Sequence, residues 1–433
     1  MLEMRVERFM SHTTDDDDRR YRPADEVDQA KQRDPVVTLG NLLLEQGILA
    51  QEQIDEAAEN ALAAVDAATD AADNASPPDV STLHHMSTQS SPIQPVCRPI
   101  TRHQESDSVA VKSVIEAVRE AIREEMHRDP SVFVMGEDVG ARGGVFLATQ
   151  GLLEEFGEDR IIDTPLAEAS IVGIALGAAF RGQRPMPEIQ FSDFVWPSIN
   201  QLIGEAARTC YGTNGAVQVP MTVRIPYGGG IRGGLFHSQN VETHFFHTPG
   251  LKVVTPCTPY DAKGLLKAAI RDNNPVVFLE HKKTYRLVRG EVPEGEYTLP
   301  PAKRHSRARA AMWTIAVRRT LHSASMPQLG RQLGIDSEVV DLRTLSPLDK
   351  DTILTSVRKT GKLLIAHEDN ITGGIGAEIA ALVADEAFEY LDGPIVRVCG
   401  PDVPTMPFAQ TLEDAYIPDP TKIAAALRRL AAY

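Results

Sequence analysis

Apolar positions are spaced unevenly along this chain, and the spacing divides it. Residues 14–35 are polar and charged up to Asp34-Pro35. Leu39, Leu42 and Leu43 then precede Gly47, a helix-stop signal, and residues 51–73 form an Ala- and acid-rich helical stretch. Its few large apolar side chains, Ile54, Leu62 and Val65, can cover a surface but cannot build a core. Residues 76–108 are rich in Pro, Ser, Thr and His without periodicity, the texture of a linker.

Core-forming patterns begin near Val109. Val111, Val114, Ile115, Val118 and Ile122 recur at helical spacing, and the helix they predict stops before Asp129-Pro130. Residues 132–135 are all apolar, as expected of a buried parallel strand. A Gly-rich loop at 140–144, a helix from about Gln150 and the pair Ile161-Ile162 follow, then strand-like runs at 221–225, 252–255 and 276–280. This alternation predicts an α/β domain with a parallel sheet. A second α/β unit covers roughly 311–433, with strands at 338–342, 362–367 and 395–399 and helices at 352–360 and 375–391. The Pro- and Glu-rich stretch 290–303 makes a natural boundary between the two.

Charge and cysteine usage narrow the function classes. Lys and Arg number 44 against 60 Asp and Glu, a net charge of -16, whereas nucleic-acid and anionic-membrane binders present a basic face. No apolar run approaches the ~20 residues that cross a bilayer, and the N-terminus lacks the apolar core of a signal peptide. The four cysteines (Cys97, Cys210, Cys257, Cys399) are scattered without CxxC spacing, which argues against a disulfide framework or structural zinc and for a reducing cytoplasm.

Three segments could carry chemistry. Glu168 opens a helix lined with small residues, one of few charges in an apolar stretch. It is either an acid favoured by the helix dipole or a carboxylate held dry for proton exchange with a ligand nitrogen. The aromatics of PEIQFSDF (187–194) are either core or pocket wall. Five glycines within 228–234 let a ligand approach the backbone, and His237 beside them is either a solvated loop residue or an acid/base near neutrality.

Taken in order, VMGEDVG, DTPLAEASIVGIALGAA, PEIQFSDF, GGLFHSQ, FFHTPGLKVVTPCTPYDAKGLLKAAIRDNNPVVFLEHK and VVDLRTLSPLD resemble the beta subunit of thiamine-diphosphate-dependent 2-oxo acid dehydrogenases, enzymes of the transketolase-like group. The resemblance covers about 109–300 and 334–433. PEIQFSDF, GGLFHSQ, EHKKTYRLVRGEVPEGEY and RVCGPDVP are most similar to the branched-chain branch, with the pyruvate enzyme as nearest competitor. It implies a fold class of α/β with two transketolase-like domains, a pyrimidine-binding parallel-sheet domain (108–290) and a C-terminal α/β domain (306–433), joined by a linker (291–305). It also implies oxidative decarboxylation of a 2-oxo acid with acyl transfer to protein-bound lipoamide.

The resemblance assigns residues as well. Glu168 matches the glutamate that bonds the aminopyrimidine of thiamine diphosphate and promotes its imino tautomer. Leu166, Gln190 and Phe194 match positions lining the pyrimidine pocket. His237 matches the histidine assigned to reductive acylation of the lipoyl group. Asp272 and Asn274 match part of a structural potassium site, beside the plain reading of a helix-to-strand turn. Residues 2–22, then RDPVVTLGNLLLEQGIL and the Ala-rich helix, resemble the end of the partner alpha subunit, so that residues 1–80 read as an alpha-subunit remnant and 81–107 as a linker. On that match His12 falls on the alpha-subunit histidine that reaches the cofactor, and Thr13 on a serine phosphorylated in some relatives.

Two departures qualify the match. The alpha-subunit motif for the diphosphate and its magnesium, a GDG followed by paired asparagines, is absent, so a separate alpha chain or a second fused chain is expected to supply it. Residues 301–331 are arginine-rich where relatives have a strand and a regular helix. The expected partners are that alpha subunit, the lipoyl acyltransferase core and a small 2-oxo acid. Two other classes are a deoxyxylulose-phosphate-synthase-like sister enzyme, disfavoured by the GLFHSQ loop, and a catalytically incomplete fragment with an assembly role.

Overall fold

The computed structural model describes residues 24–75, 109–299, 314–317, 333–335 and 337–433. His12, Thr13, the 81–107 linker and most of 301–331 lie outside the described residues. The chain divides into two units, 1–80 and 81–433.

The first unit carries the helices Ala24–Gln32, Pro35–Glu45 and Gln51–Asp73. The Asp34 carboxylate caps the second, accepting from Val36 N at 2.8 Å, and Pro35 fills the first turn, where a missing N–H costs nothing. Gly47, at φ +64°, ends it as expected. In the long helix Leu62 and Val65 stand 63% and 62% exposed, as expected of a helix without a core of its own.

The second unit is built on two large sheets and a two-stranded ribbon. Its strands are β1 (Val109–Ser113), β2 (Val132–Gly136), β3 (Ile161–Asp163), β4 (Arg184–Glu188), β5 (Thr222–Tyr227), β6 (Lys252–Val254), β7 (Val276–His281), β8 (Arg289–Pro293), β9 (Thr314–Val317), β10 (Glu338–Asp341), β11 (Thr344–Ser346), β12 (Leu363–Asn370) and β13 (Val396–Gly400). The larger sheet runs β11-β6-β7-β5-β4-β2-β3, parallel throughout except that β11 is antiparallel to β6. The smaller runs β10-β9-β12-β13, all parallel.

The unbroken apolar runs follow from burial on both faces. In β7, Val277 and Leu279 enter one core while Val276 and Phe278 enter the other. The helices Val114–Arg128 and Pro259–Arg271 pack together over the second of these cores. The first core holds Ile171, Val172 and Ala175 of helix Glu168–Phe180, and it continues through Leu345, Ile353 and Ile365 to the smaller sheet.

The structure departs from the sequence expectation in four places. Val111 belongs to β1, not to the helix, which starts at Val114 with a capping box. Ser113 N donates to Glu116 Oε2 at 2.6 Å, and Glu116 N donates to Ser113 Oγ at 3.4 Å. β1 pairs antiparallel with β8, and Tyr297 stacks on Tyr260 at 4.8 Å, so the 290–299 part of the expected boundary packs on the first sheet's helices. β4 is absent from the strand-like runs of the sequence and holds two prolines, Pro185 and Pro187. Its even-numbered residues face β2, with Arg184 N donating to Ser131 O at 2.9 Å, while both prolines turn toward β5. Pairing of β4 with β5 accordingly survives only at its end, Glu188 beside Arg224. β9 lies inside the irregular 301–331 stretch and still takes the central place between β10 and β12.

Candidate active site

Successive parallel strands bring their carboxyl ends to one edge of the larger sheet, where ligands of open α/β sheets bind. Glu137 follows β2, the 164–168 segment follows β3, Glu188 to Phe194 close β4, and the glycine loop follows β5. The ends of β2 and β3 are tied together: Thr164 N donates to Gly136 O at 2.9 Å, and Gly140 N donates to Asp163 Oδ1 at 2.6 Å.

Glu168 occupies the first turn of helix Glu168–Phe180, half-buried, where free backbone N–H groups favour a carboxylate. Close enough to act on it electrostatically is Glu137, the residue that follows β2. Glu137 is 6% exposed, and neither carboxylate oxygen has a hydrogen-bond partner. Burial, reinforced by the charges of Glu168, Asp138 and Glu188, pushes its carboxyl up to about 7. The signal in the sequence was an acid directly after an all-apolar strand.

Beneath lies a buried ion triad. Arg224, fully buried, makes a bidentate pair with Glu280 at 2.7 Å on each arm and also bonds Glu188. Burial alone would lower the guanidinium, but Glu280 and Glu188 outweigh it and raise it, while burial keeps Glu188 above the usual carboxylate range. Tyr285 Oη donates to Glu280 Oε2 at 2.5 Å and completes the set.

The aromatic wall comes from β4 and the turn Ser192–Phe194. His237 stands edge-on to Phe191 at 4.5 Å and to Phe194 at 5.4 Å. Gln190 Nε2 donates to Asp138 Oδ2 at 3.3 Å, linking that wall to the residue after Glu137. Leu166 is 82% exposed. Thus Phe194 and His237 are in contact, Gln190 joins the acidic strand end, and the charge of Glu168 acts on Glu137. Phe191, one of the two PEIQFSDF aromatics, is a wall residue beside His237, and Lys282 is a further member that no motif singled out. Lys282 is buried without a hydrogen-bond partner, its Nζ 5.6 Å from the Phe191 ring centre, and burial brings it down to about 8.

Asp272 and Asn274 lie elsewhere, in the turn before β7 and so at the opposite end of the parallel sheet. Asp272 Oδ2 accepts from Lys252 Nζ at 2.5 Å and Oδ1 from Asn274 N at 2.9 Å. The carbonyls of Ile270 and Asp272 accept from Arg184 Nη1 at 3.0 Å. These contacts are what a plain turn requires. Among the described residues no cluster of His, Cys, Asp and Glu could hold a metal, and no helix is long and apolar enough to cross a membrane.

Known proteins are similar to this chain in sequence and fold. Residues 111–288 match the transketolase pyrimidine-binding domain, 316–423 the transketolase C-terminal domain, and 1–81 the dehydrogenase E1 component. The 2-oxoisovalerate dehydrogenase subunit beta of Bacillus subtilis (strain 168) is 49% identical over 330 residues, 75% of this chain and 100% of that one. The pyruvate dehydrogenase E1 component subunit beta of the same organism is 44% identical over 324 residues, 74% of this chain and 99% of that one. In fold, a split-gene transketolase described as an inactive beta4 tetramer superposes with a TM-score of 0.57 at 20% identity, covering 74% of this chain and 98% of its own. Two transketolase-like domains behind a dehydrogenase E1 segment, with near-complete coverage of both relatives, place the chain in the family of beta subunits of thiamine-diphosphate-dependent 2-oxo acid dehydrogenases.

Proposed function

We propose that residues 108–290 bind the pyrimidine end of thiamine diphosphate for the oxidative decarboxylation of a branched-chain 2-oxo acid, and that residues 306–433 pair subunits and dock the lipoyl acyltransferase core. The observation that carries the first part is the pair of buried, unpartnered Glu137 oxygens beside Glu168. A buried carboxyl without a partner is costly, and an aminopyrimidine offers the donors that would satisfy it. The exposed Leu166 and the rings of Phe194 and His237 supply apolar walls of the right kind. The described residues do not fit the diphosphate and its magnesium, which agrees with an alpha partner supplying them, through His12 as well where the fused segment serves. Asp272 and Asn274 as a potassium site belong to the same proposal, with Lys252 and Arg184 as the cations to be displaced.

The bound cofactor supplies an electron sink for the pair left when the carboxylate departs as CO2. Glu168 would share a proton with a ring nitrogen and so polarise the ring. Glu137, poised near neutrality, would hold the neighbouring proton. The Phe191 and Phe194 edges fix the His237 ring, which would deliver a proton to the sulfur released as the lipoyl disulfide opens during acyl transfer. The branched-chain substrate is favoured by the 49% relative, and pyruvate by the 44% one. A cytoplasmic home agrees with four scattered cysteines that lack CxxC spacing.

Decarboxylation of 3-methyl-2-oxobutanoate and of pyruvate, read with an artificial electron acceptor in thiamine diphosphate and magnesium, tests this with and without an alpha partner. Activity only with the partner, a preference for the branched substrate and its abolition by Glu168→Ala are expected. No activity beside an alpha chain that works with another beta chain would overturn the catalytic reading.

A further inference from the structure

The loop that carries His237 is closed at its base, where Gly228 N donates to Gln239 O at 3.0 Å and Gln239 N to Asp193 Oδ2 at 3.3 Å, but its glycine-rich arm has little means of holding its own shape. Gly228, Gly230 and Gly234 sit at φ +85°, +80° and +66°, and Arg232, which has a side chain, sits at +59°. Glycines give the chain freedom rather than preference, and a left-handed arginine needs outside support. That support comes from the C-terminal domain. Glu413 is 3% exposed, and its Oε1 accepts from Gly230 N at 2.8 Å and Arg232 N at 3.3 Å. Around it, Gly229 N donates to Glu368 Oε1 at 2.5 Å, Arg232 Nη2 to Gln410 Oε1 at 2.6 Å and Gln239 Nε2 to Thr405 Oγ1 at 2.6 Å. The fit is close: a methyl group on Gly229 would lie 2.7 Å from Met406 Cε.

We propose that Glu413 is a positioning residue that acts through the 228–239 loop, its buried carboxylate gripping two backbone amides so that His237 is held against Phe191 and Phe194. It makes the C-terminal domain a determinant of the acyl-transfer step rather than only a platform for assembly. This rests on the role proposed above for His237. Decarboxylation read with an artificial acceptor does not use His237 on that reading, so the two half-reactions should separate.

The test compares Glu413→Ala, Glu413→Gln and Gln410→Ala in the complex with an alpha partner. Glu413→Ala should slow acyl transfer to lipoamide about tenfold or more, since small displacements of a reacting group are expensive. Its decarboxylation with the artificial acceptor should change far less. Glu413→Gln keeps an Oε1 acceptor and should restore transfer. Gln410→Ala removes only the exposed side-chain tether of Arg232 and should give a smaller loss of the same kind, which serves if Glu413→Ala does not fold. Amide hydrogen exchange of the 228–239 peptide gives a readout independent of activity: protection should fall in Glu413→Ala and return in Glu413→Gln. Unchanged exchange in Glu413→Ala, a glutamine variant no better than alanine, or both half-reactions falling in parallel would each overturn the proposal. Absence of activity in the parent complex would instead defeat the reading of His237, while the exchange comparison would still decide whether Glu413 grips the loop.

Discussion

Replacing Glu137 by Gln keeps its shape and removes its charge, and the structure fixes how stability should respond. The carboxyl is pushed up to about 7 from its ordinary 4.5, first by burial and then by Glu168. The folded chain therefore binds this proton more tightly than the unfolded chain. The stabilisation is complete below about 4.5 and is lost as pH rises through about 7. Each pH unit of separation is worth about 1.4 kcal/mol, so the loss amounts to about 3 kcal/mol by pH 8. Glutamine has no such proton to lose. Glu137→Gln should match the parent at pH 5 to within about 1 kcal/mol and exceed it by about 3 kcal/mol at pH 8, roughly 1 M in the urea midpoint. Urea unfolding followed at both pH values measures it. Glu168→Gln, which removes the second cause, should recover part of the same gain. A Glu137→Gln variant no more stable than the parent at pH 8, or more stable by the same amount at both pH values, would refute the argument.

Other substitutions have equally definite outcomes. Arg224→Met leaves Glu188 and Glu280 buried without their cation and should cost about 3–5 kcal/mol in urea unfolding; an unchanged midpoint would show the triad to be dispensable. Phe194→Tyr should leave acyl transfer near the parent rate, whereas Phe194→Ala removes an aromatic edge contact of about 0.5–1.5 kcal/mol and should slow it about 2- to 10-fold. Burial pushes the Cys399 thiol up to about 12. At pH 8 it should therefore alkylate with iodoacetamide about a thousandfold more slowly than in the urea-unfolded chain, as read by mass spectrometry of its peptide, because the thiolate is the reacting form. Equal rates in the two states would contradict that burial.

Much of the fold was legible because it rests on local patterns. The all-apolar runs in β2 and β7 announce strands buried on both faces, and small residues after Glu168 announce a closely packed helix. What escaped depends on partners distant in sequence. β4 was hidden by Pro185 and Pro187, whose missing N–H groups matter only on the side facing β5. β1 was absorbed into the following helix because Val111 fits its period, and only pairing with β8, far along the chain, makes it a strand. At the candidate site, motif resemblance singled out Glu168, Phe194 and His237. Glu137 needed the structure, since an acid after a strand becomes notable only once its oxygens are found buried and unpartnered.

Strand β11 sets a condition on how the chain can be made. It comes from the C-terminal half, yet it completes the larger sheet by covering the edge of β6. As the chain leaves the ribosome, every other strand of that sheet, and β8 with them, is out by Pro293, while β11 ends only at Ser346. At ordinary synthesis rates that interval lasts about 3–10 s, during which β6 presents an open strand edge to its surroundings. The arginine-rich stretch that spans most of the gap therefore also determines how long the nascent protein is open to pairing with another chain.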